Sequence, residues 1–229
     1  MIAITFALPT ESTDLRRQLR ETRQDGHLVI GKIAHLPVAI LHTGVGAKDC
    51  SERVEALLHK ARPRLVISCG FAGAVTDDLH VGDLVLAKNF SDLQLLARVE
   101  RILSERKPRT AKLFTSTSIV DSVDQRDEIA RASGAAAVDM ETGSIFAICN
   151  AHGVPLLALR VISDTPERPF PAPPNVLFDI ERKRPSYGPL FGYLLRHPSS
   201  IPRLLGFGRE INRARAKLTR AIVALIQSL

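Results

Sequence analysis

The chain holds no tryptophan, two tyrosines, two methionines and three cysteines in 229 residues, and aromatic side chains make up only 5% of it. The cysteines, Cys50, Cys69 and Cys149, are odd in number and show no CxxC spacing. That argues against a disulfide framework, predicts a reducing, cytoplasmic setting, and makes each thiol a small core residue rather than a ligand or nucleophile. No run of about 18 apolar residues occurs, so no membrane-spanning helix is expected. The opening MIAITFALPTE has no basic segment ahead of its apolar residues and reads as a first β-strand, not as a signal peptide.

What is present suits a globular enzyme: 45% hydrophobic and 24% charged residues, enough for a substantial core. The net charge of +7 raises nucleic acid as a partner. Its distribution argues otherwise. From Arg182 onward ten Lys/Arg face the single acid Glu210, a local charge of +9, so residues 1–181 carry −2. The basic tail also lacks the interleaved aromatic pattern of RNA-binding motifs, and no nucleic-acid partner is expected.

Apolar and β-branched runs predict strands over residues 2–8, 27–34, 37–42, 64–75, 82–87, 112–116 and 155–163. Helices are expected at 47–60, 92–105, 123–132, 141–152 and 209–229, and the Glu/Arg-rich segment 11–22 has helical composition. Strands that alternate with helices, several of them apolar throughout, predict an α/β fold with a mixed, mostly parallel central sheet flanked by helices. Composition breaks after Asp164, and nine of the fourteen prolines fall between residues 166 and 202. The expected organisation is a catalytic domain over 1–165, then a Pro-rich segment and a basic terminal helix, 166–229, packed on the same domain.

In such sheets ligands gather beyond the C-terminal ends of the strands. Those ends would carry Glu11, Thr43-Gly44-Val45-Gly46, Gly70-Phe71-Ala72-Gly73, Glu141 and Ser163-Asp164. The glycine clusters allow backbone N–H groups to approach a ligand, or serve as ordinary tight turns; neither is a Walker A loop, and no GxGxxG occurs. The acids at strand and helix ends could each be a solvated helix-start residue. Taken together, three carboxylates around one pocket can divide labour between activating water, gripping a diol and protonating a leaving base. His42, His80 and His152 have no companion spacing for a metal site.

The segments GVGAKDC, CGFAGAVTDDLHVGDLVLA, AVDMET and LRVISD resemble the nucleoside phosphorylase/nucleosidase family over about residues 1–165. The methylthioadenosine/S-adenosylhomocysteine nucleosidases are the nearest mechanistic guide. The tail YGPLFGYLLRHPSSIPRLLGFGREINRARAKL is similar to hopanoid-associated phosphorylases, which act on adenosylhopane, a lipid-linked nucleoside. The resemblance implies a nucleoside substrate, no metal or organic cofactor, and a homodimer.

It also implies roles residue by residue. Glu11 would activate water, Glu141 would hold the ribose hydroxyls with Met140 against the sugar, and Asp164, assisted by Ser163, would protonate adenine N7. Backbone near Val120 would contact the base, Gly44 and Val45 would lie on the ribose side, and Ala72-Gly73 would turn beside the nucleophile. Two departures are visible. Ser68 stands where phosphorolytic relatives carry a phosphate-binding arginine, which favours water as the nucleophile unless Arg160 or a neighbouring chain's arginine holds phosphate. Phe71 replaces a small hydroxyl residue. The expected reaction is cleavage of a 5′-substituted adenosine to release adenine, with hopanoid biosynthesis, methylthioadenosine/S-adenosylhomocysteine hydrolysis and purine nucleoside phosphorolysis as competing substrate readings. A non-enzymatic nucleoside-binding protein is the rival class. The aromatics after Asp164, Phe170, Phe178, Tyr187, Phe191, Tyr193 and Phe207, would close over the pocket as apolar walls, and the basic tail would rest on anionic lipid or pack as a solvated helix.

Overall fold

The computed structural model describes residues 1–44, 46–173 and 196–229, and between the last two stretches residues 176, 178–179, 184–185 and 193. Val45, Tyr187 and Phe191 lie outside the described residues.

A ten-stranded mixed sheet forms the centre. Its middle is parallel: β1 (Ile2–Phe6) lies between β4 (Leu36–His42) and β5 (Leu65–Ala74), and β5 pairs on its other side with β10 (Leu156–Asp164). Every residue of β1 and of β10 is buried. Apolar residues dominate these strands because both faces of the sheet are covered, which removes the usual alternation; the buried polar exceptions include Thr5, Ser68, Arg160, Ser163 and Asp164. Along β1, Ile2, Ile4 and Phe6 face one layer while Ala3 packs into the other.

That second layer is built by α2 (Ala47–Ala61) and α5 (Thr142–Ala151), through Val54, Leu57, Ile145 and Ile148. The first is built by α3 (Leu93–Ile102) and the long terminal helix α6 (Ile201–Ser228). The spacing of Ala214, Leu218, Ala221, Ile222, Leu225 and Ile226 puts all six on one face, and all are buried in one cluster with side chains of β1, β5 and β10. The helix begins eight residues before the expected 209. Gly206 and Gly208, which lower helix propensity by about 1 kcal/mol each, sit inside it, and Pro202 occupies its first turn, where a missing N–H costs nothing.

The segment 11–22 is the main correction. Only α1 (Thr13–Arg16) is helical, and the chain then runs into β2 (Arg20–Asp25), an edge strand antiparallel to β3 (Leu28–Ile33). All six side chains of β2 are exposed. With both faces in water, the strand needs no apolar residue, so RETRQD carries no two-residue period and reads as helix. The available signal was Gly26, at φ 59°, the first residue of the two-residue hairpin loop Gly26-His27.

Four further short strands complete the sheet. β6 (Leu84–Ala87) runs antiparallel to β10, and β7 (Arg109–Ala111) extends the edge beside it. β8 (Leu113–Thr115) pairs in parallel with β9 (Ala137–Asp139), which is antiparallel to the end of β5. α4 (Val123–Ser133) connects β8 to β9.

Candidate active site

The C-terminal ends of β1, β5, β9 and β10 open into one pocket of about 290 Å³. Glu11, Phe71, Ala72, Gly73, Val120, Met140, Glu141, Ser163 and Asp164 all line it. Of the residues expected at the site, Gly44 is not in the lining. Its φ of 77° serves the turn after β4.

Glu11 follows β1 and is turned back over the sheet. Its Oε2 accepts from the backbone N–H of Leu8 at 2.9 Å and its Oε1 from that of Phe71 at 3.4 Å. A Cβ at position 70 would come 3.3 Å from Oε1, so Gly70 leaves the room that the carboxylate uses. Burial raises the Glu11 pKa, against the lowering effect of these N–H groups and of Arg160. A second cavity of about 10 Å³ lies behind it, lined among others by Thr5, Thr43, Ser68 and Glu141, the scale of a single water.

Glu141 occupies the N-cap position of α5 but makes no cap hydrogen bond. Asp139 takes over that duty: its Oδ2 accepts from the Thr142 N–H at 3.3 Å and from the Thr142 hydroxyl. Glu141 is therefore free to face the pocket. Its pKa is pushed up to about 8, first by burial, then by the negative charges of Asp139 and Glu11, with Arg160 opposing.

Arg160, on β10, is fully engaged. Nε donates to Asp139 Oδ2 at 3.0 Å, Nη1 to Ser68 O and Leu159 O, and Nη2 to Ser68 Oγ and Thr142 Oγ1. A guanidinium has five N–H donors, and all five are occupied within the protein.

At the far end of β10 a bulge breaks the register with β5 between Ile162 and Asp164. A bulge re-aims side chains, and here Ser163 and Asp164 both reach the pocket. The Ser163 hydroxyl donates to Asp164 Oδ1 at 2.5 Å, with Ala72 O as a second acceptor 3.3 Å away. Asp164 Oδ2 is ion-paired with Arg126, a residue of α4 that is 1% exposed. Sequence reasoning missed Arg126 because it sits in the polar run SVDQRDEIARAS. The signal was positional: Arg126 shares the inward face with Ile129 and Ala130, at helical spacing.

The outer wall is apolar. Leu8, Ile119, Phe170, Phe207 and Ile211 line it, the last two from the start of α6, and Phe170 stacks edge-on against Phe207 at 5.9 Å. Tyr193 instead lies beside His197, ring centroids 4.5 Å apart, and only the backbone of Phe178 is described, in a two-residue strand.

All three cysteines are buried, and burial pushes each thiol up to about 12, away from nucleophilic use. His42 is a core residue, 2.8 Å from the Ser12 hydroxyl. His80 lies on the surface beside Asp83. His152, without a companion in sequence, meets Glu55 and His59 in space, their ligand atoms within 4.8 Å of one another on an exposed face outside the pocket. Among the described residues no helix is long and apolar enough to cross a membrane.

The chain matches the family model described as the phosphorylase superfamily over residues 1–102 and 90–184. The 5′-methylthioadenosine/S-adenosylhomocysteine nucleosidase of Staphylococcus haemolyticus is 26% identical over 196 residues, covering 72% of this chain and 86% of that protein. The S-adenosylhomocysteine nucleosidase of Streptococcus pyogenes, solved with 5-methylthiotubericidin, superposes with a TM-score of 0.76 at 19% identity, covering 100% of this chain and 96% of its own. A futalosine hydrolase mutant of Helicobacter pylori superposes with a TM-score of 0.75 at 16% identity, covering 100% and 99%. Motifs, fold and family match agree with the nucleoside phosphorylase/nucleosidase resemblance: the chain belongs to the phosphorylase superfamily.

Proposed function

We propose that this protein is an N-glycosyl hydrolase that cleaves a 5′-substituted adenosine and releases adenine. One observation carries the reading: Glu11, Glu141 and Asp164, far apart in the chain, line one pocket together with the backbone turn Ala72-Gly73 and the loop at Ile119-Val120. The relatives whose names specify methylthioadenosine and S-adenosylhomocysteine support adenosine-type substrates.

The chemistry follows from the residue types. Glu141 accepts from both ribose hydroxyls and fixes the ring for in-line approach. Glu11 takes a proton from water as the new C1′–O bond forms. The C1′–N9 bonding pair moves to the purine, and Asp164 gives a proton to N7, so adenine departs neutral. Both carboxyl groups then exchange protons with solvent, and the cycle closes.

Water is the nucleophile in this reading, because Arg160 has no N–H left for phosphate. The test is to incubate the protein with 5′-modified adenosines, with and without phosphate, and to identify the sugar. Free sugar at a phosphate-independent rate is expected; a sugar 1-phosphate would refute hydrolysis.

The finer reading is a large apolar 5′ substituent, of which adenosylhopane is the example suggested by the tail. Its support is the wall of Leu8, Phe170, Phe207 and Ile211. Exposed Ile201 and Leu205, on the same helix as Arg203 and Arg209, support contact with an anionic membrane surface. A preference for methylthioadenosine or S-adenosylhomocysteine over longer alkyl groups would favour the small-substrate alternative, and failure to cosediment with anionic vesicles would remove the membrane contact.

A further inference from the structure

Arg126 is the buried residue of α4, and its guanidinium touches three pieces of the pocket at once. Nη1 donates to Ala74 O at 2.6 Å, just past the Ala72-Gly73 turn. Nη2 donates to Val120 O at 3.1 Å, in the loop that lines the pocket, and is ion-paired with Asp164 Oδ2. A Cβ at position 73 would meet Asp164 Oδ2 at 3.0 Å and Arg126 Nη1 at 3.4 Å, so Gly73 leaves the space in which this pair forms.

We infer that Arg126 is the positioning residue of base departure: it locks Asp164 through Oδ2, leaves Oδ1 as the oxygen that carries the proton, and ties the acid to the loop facing the purine. The inference rests on the reading of Asp164 as the group that protonates the base. Ser163 completes the device. With Asp164 ionised, its hydroxyl donates to Oδ1 at 2.5 Å. With Oδ1 protonated and its proton turned to the purine, the same hydroxyl can swing its own proton to Ala72 O, 3.3 Å away. The network thus serves both ends of the transfer without moving a heavy atom. The proton leaves Oδ1 for the purine, and the carboxylate left behind already faces a buried guanidinium.

A structural arginine and a positioning arginine predict different things when the leaving group needs no proton. Two substrates with the same 5′ group separate them, the adenosine and the 4-nitrophenyl riboside, whose nitrophenolate departs as an anion. Arg126→Ala should lower adenine release by about 100-fold or more, the range of a lost general acid, and change nitrophenolate release by less than about 3-fold. Guanidinium ion added to Arg126→Ala should restore part of the adenine activity. Arg126→Lys, which keeps the charge but gathers its donors on one nitrogen in place of the two that Arg126 spreads between Ala74 O and Asp164, should show the same split at smaller size; it carries the test if the alanine variant fails to fold. Parallel loss on both substrates, or unchanged adenine release, would overturn the inference. Asp164→Asn is the control for the underlying reading: if it releases adenine at the wild-type rate, Asp164 is not the proton donor and the role of Arg126 falls with it.

Discussion

Arg160 Nε lies 3.0 Å from Asp139 Oδ2, and through this pair β10 is pinned to the turn that launches α5. Asp139 also accepts from Thr115 Oγ1 at 2.9 Å, so three segments converge on one buried carboxylate. Removing one partner of such a pair leaves the other charge buried and alone. Asp139→Ala should cost about 3–5 kcal/mol of stability. Urea unfolding of the variant checks it, and a loss below about 1 kcal/mol would show that the network is dispensable.

Glu141, two residues further on, gives a pH dependence with a definite sign. Its pKa of about 8 in the folded protein lies above the ordinary carboxyl value of 4.5, so the native state holds the proton longer than the unfolded chain. Stability is therefore lost as pH rises from about 4.5 through about 8. Glu141→Gln should be more stable than the wild type above pH 8, and the difference should vanish below about pH 4.5. Thermal unfolding across that range reads it directly; a constant difference would show that Glu141 is not held protonated by its surroundings.

The same residue should govern binding. Only the carboxylate accepts from both ribose hydroxyls, so kcat/KM for the free enzyme should climb through a limb near pH 8. The limb should disappear in Glu141→Gln together with most of the activity.

At the opposite end of the pocket, Asp164→Asn keeps the shape of the side chain and removes the transferable proton. Adenine release should fall by about 10²- to 10⁴-fold with the fold intact, as circular dichroism would verify. Retained activity would take Asp164 out of the chemistry.

The apolar wall makes a prediction about specificity. Phe207→Ala should reduce kcat/KM for substrates with bulky apolar 5′ groups by about 10-fold or more and leave 5′-unsubstituted adenosine nearly unchanged. Equal effects on both would argue that Phe207 supports the fold and not the subsite.

Much of this protein was legible in its sequence because the signals were local. The continuous apolar runs of β1, β5 and β10 mark a covered, parallel sheet, and the VDMET and VISD motifs sit where helix and strand ends meet. β2 showed only its turn glycine, Gly26, and not its strand, since an edge strand in water has no apolar face to display.

The opening acids, glycines and strands fixed which groups could reach the pocket, because side-chain chemistry at a strand end depends on a few neighbouring residues. The tertiary structure alone decided how those groups are held. Arg126 meets Asp164 across 38 positions and Arg160 meets Ser68 across 92, and no local period encodes such pairings. A buried guanidinium must satisfy each N–H, and only the folded chain shows which carbonyls, hydroxyls and carboxylates come within reach.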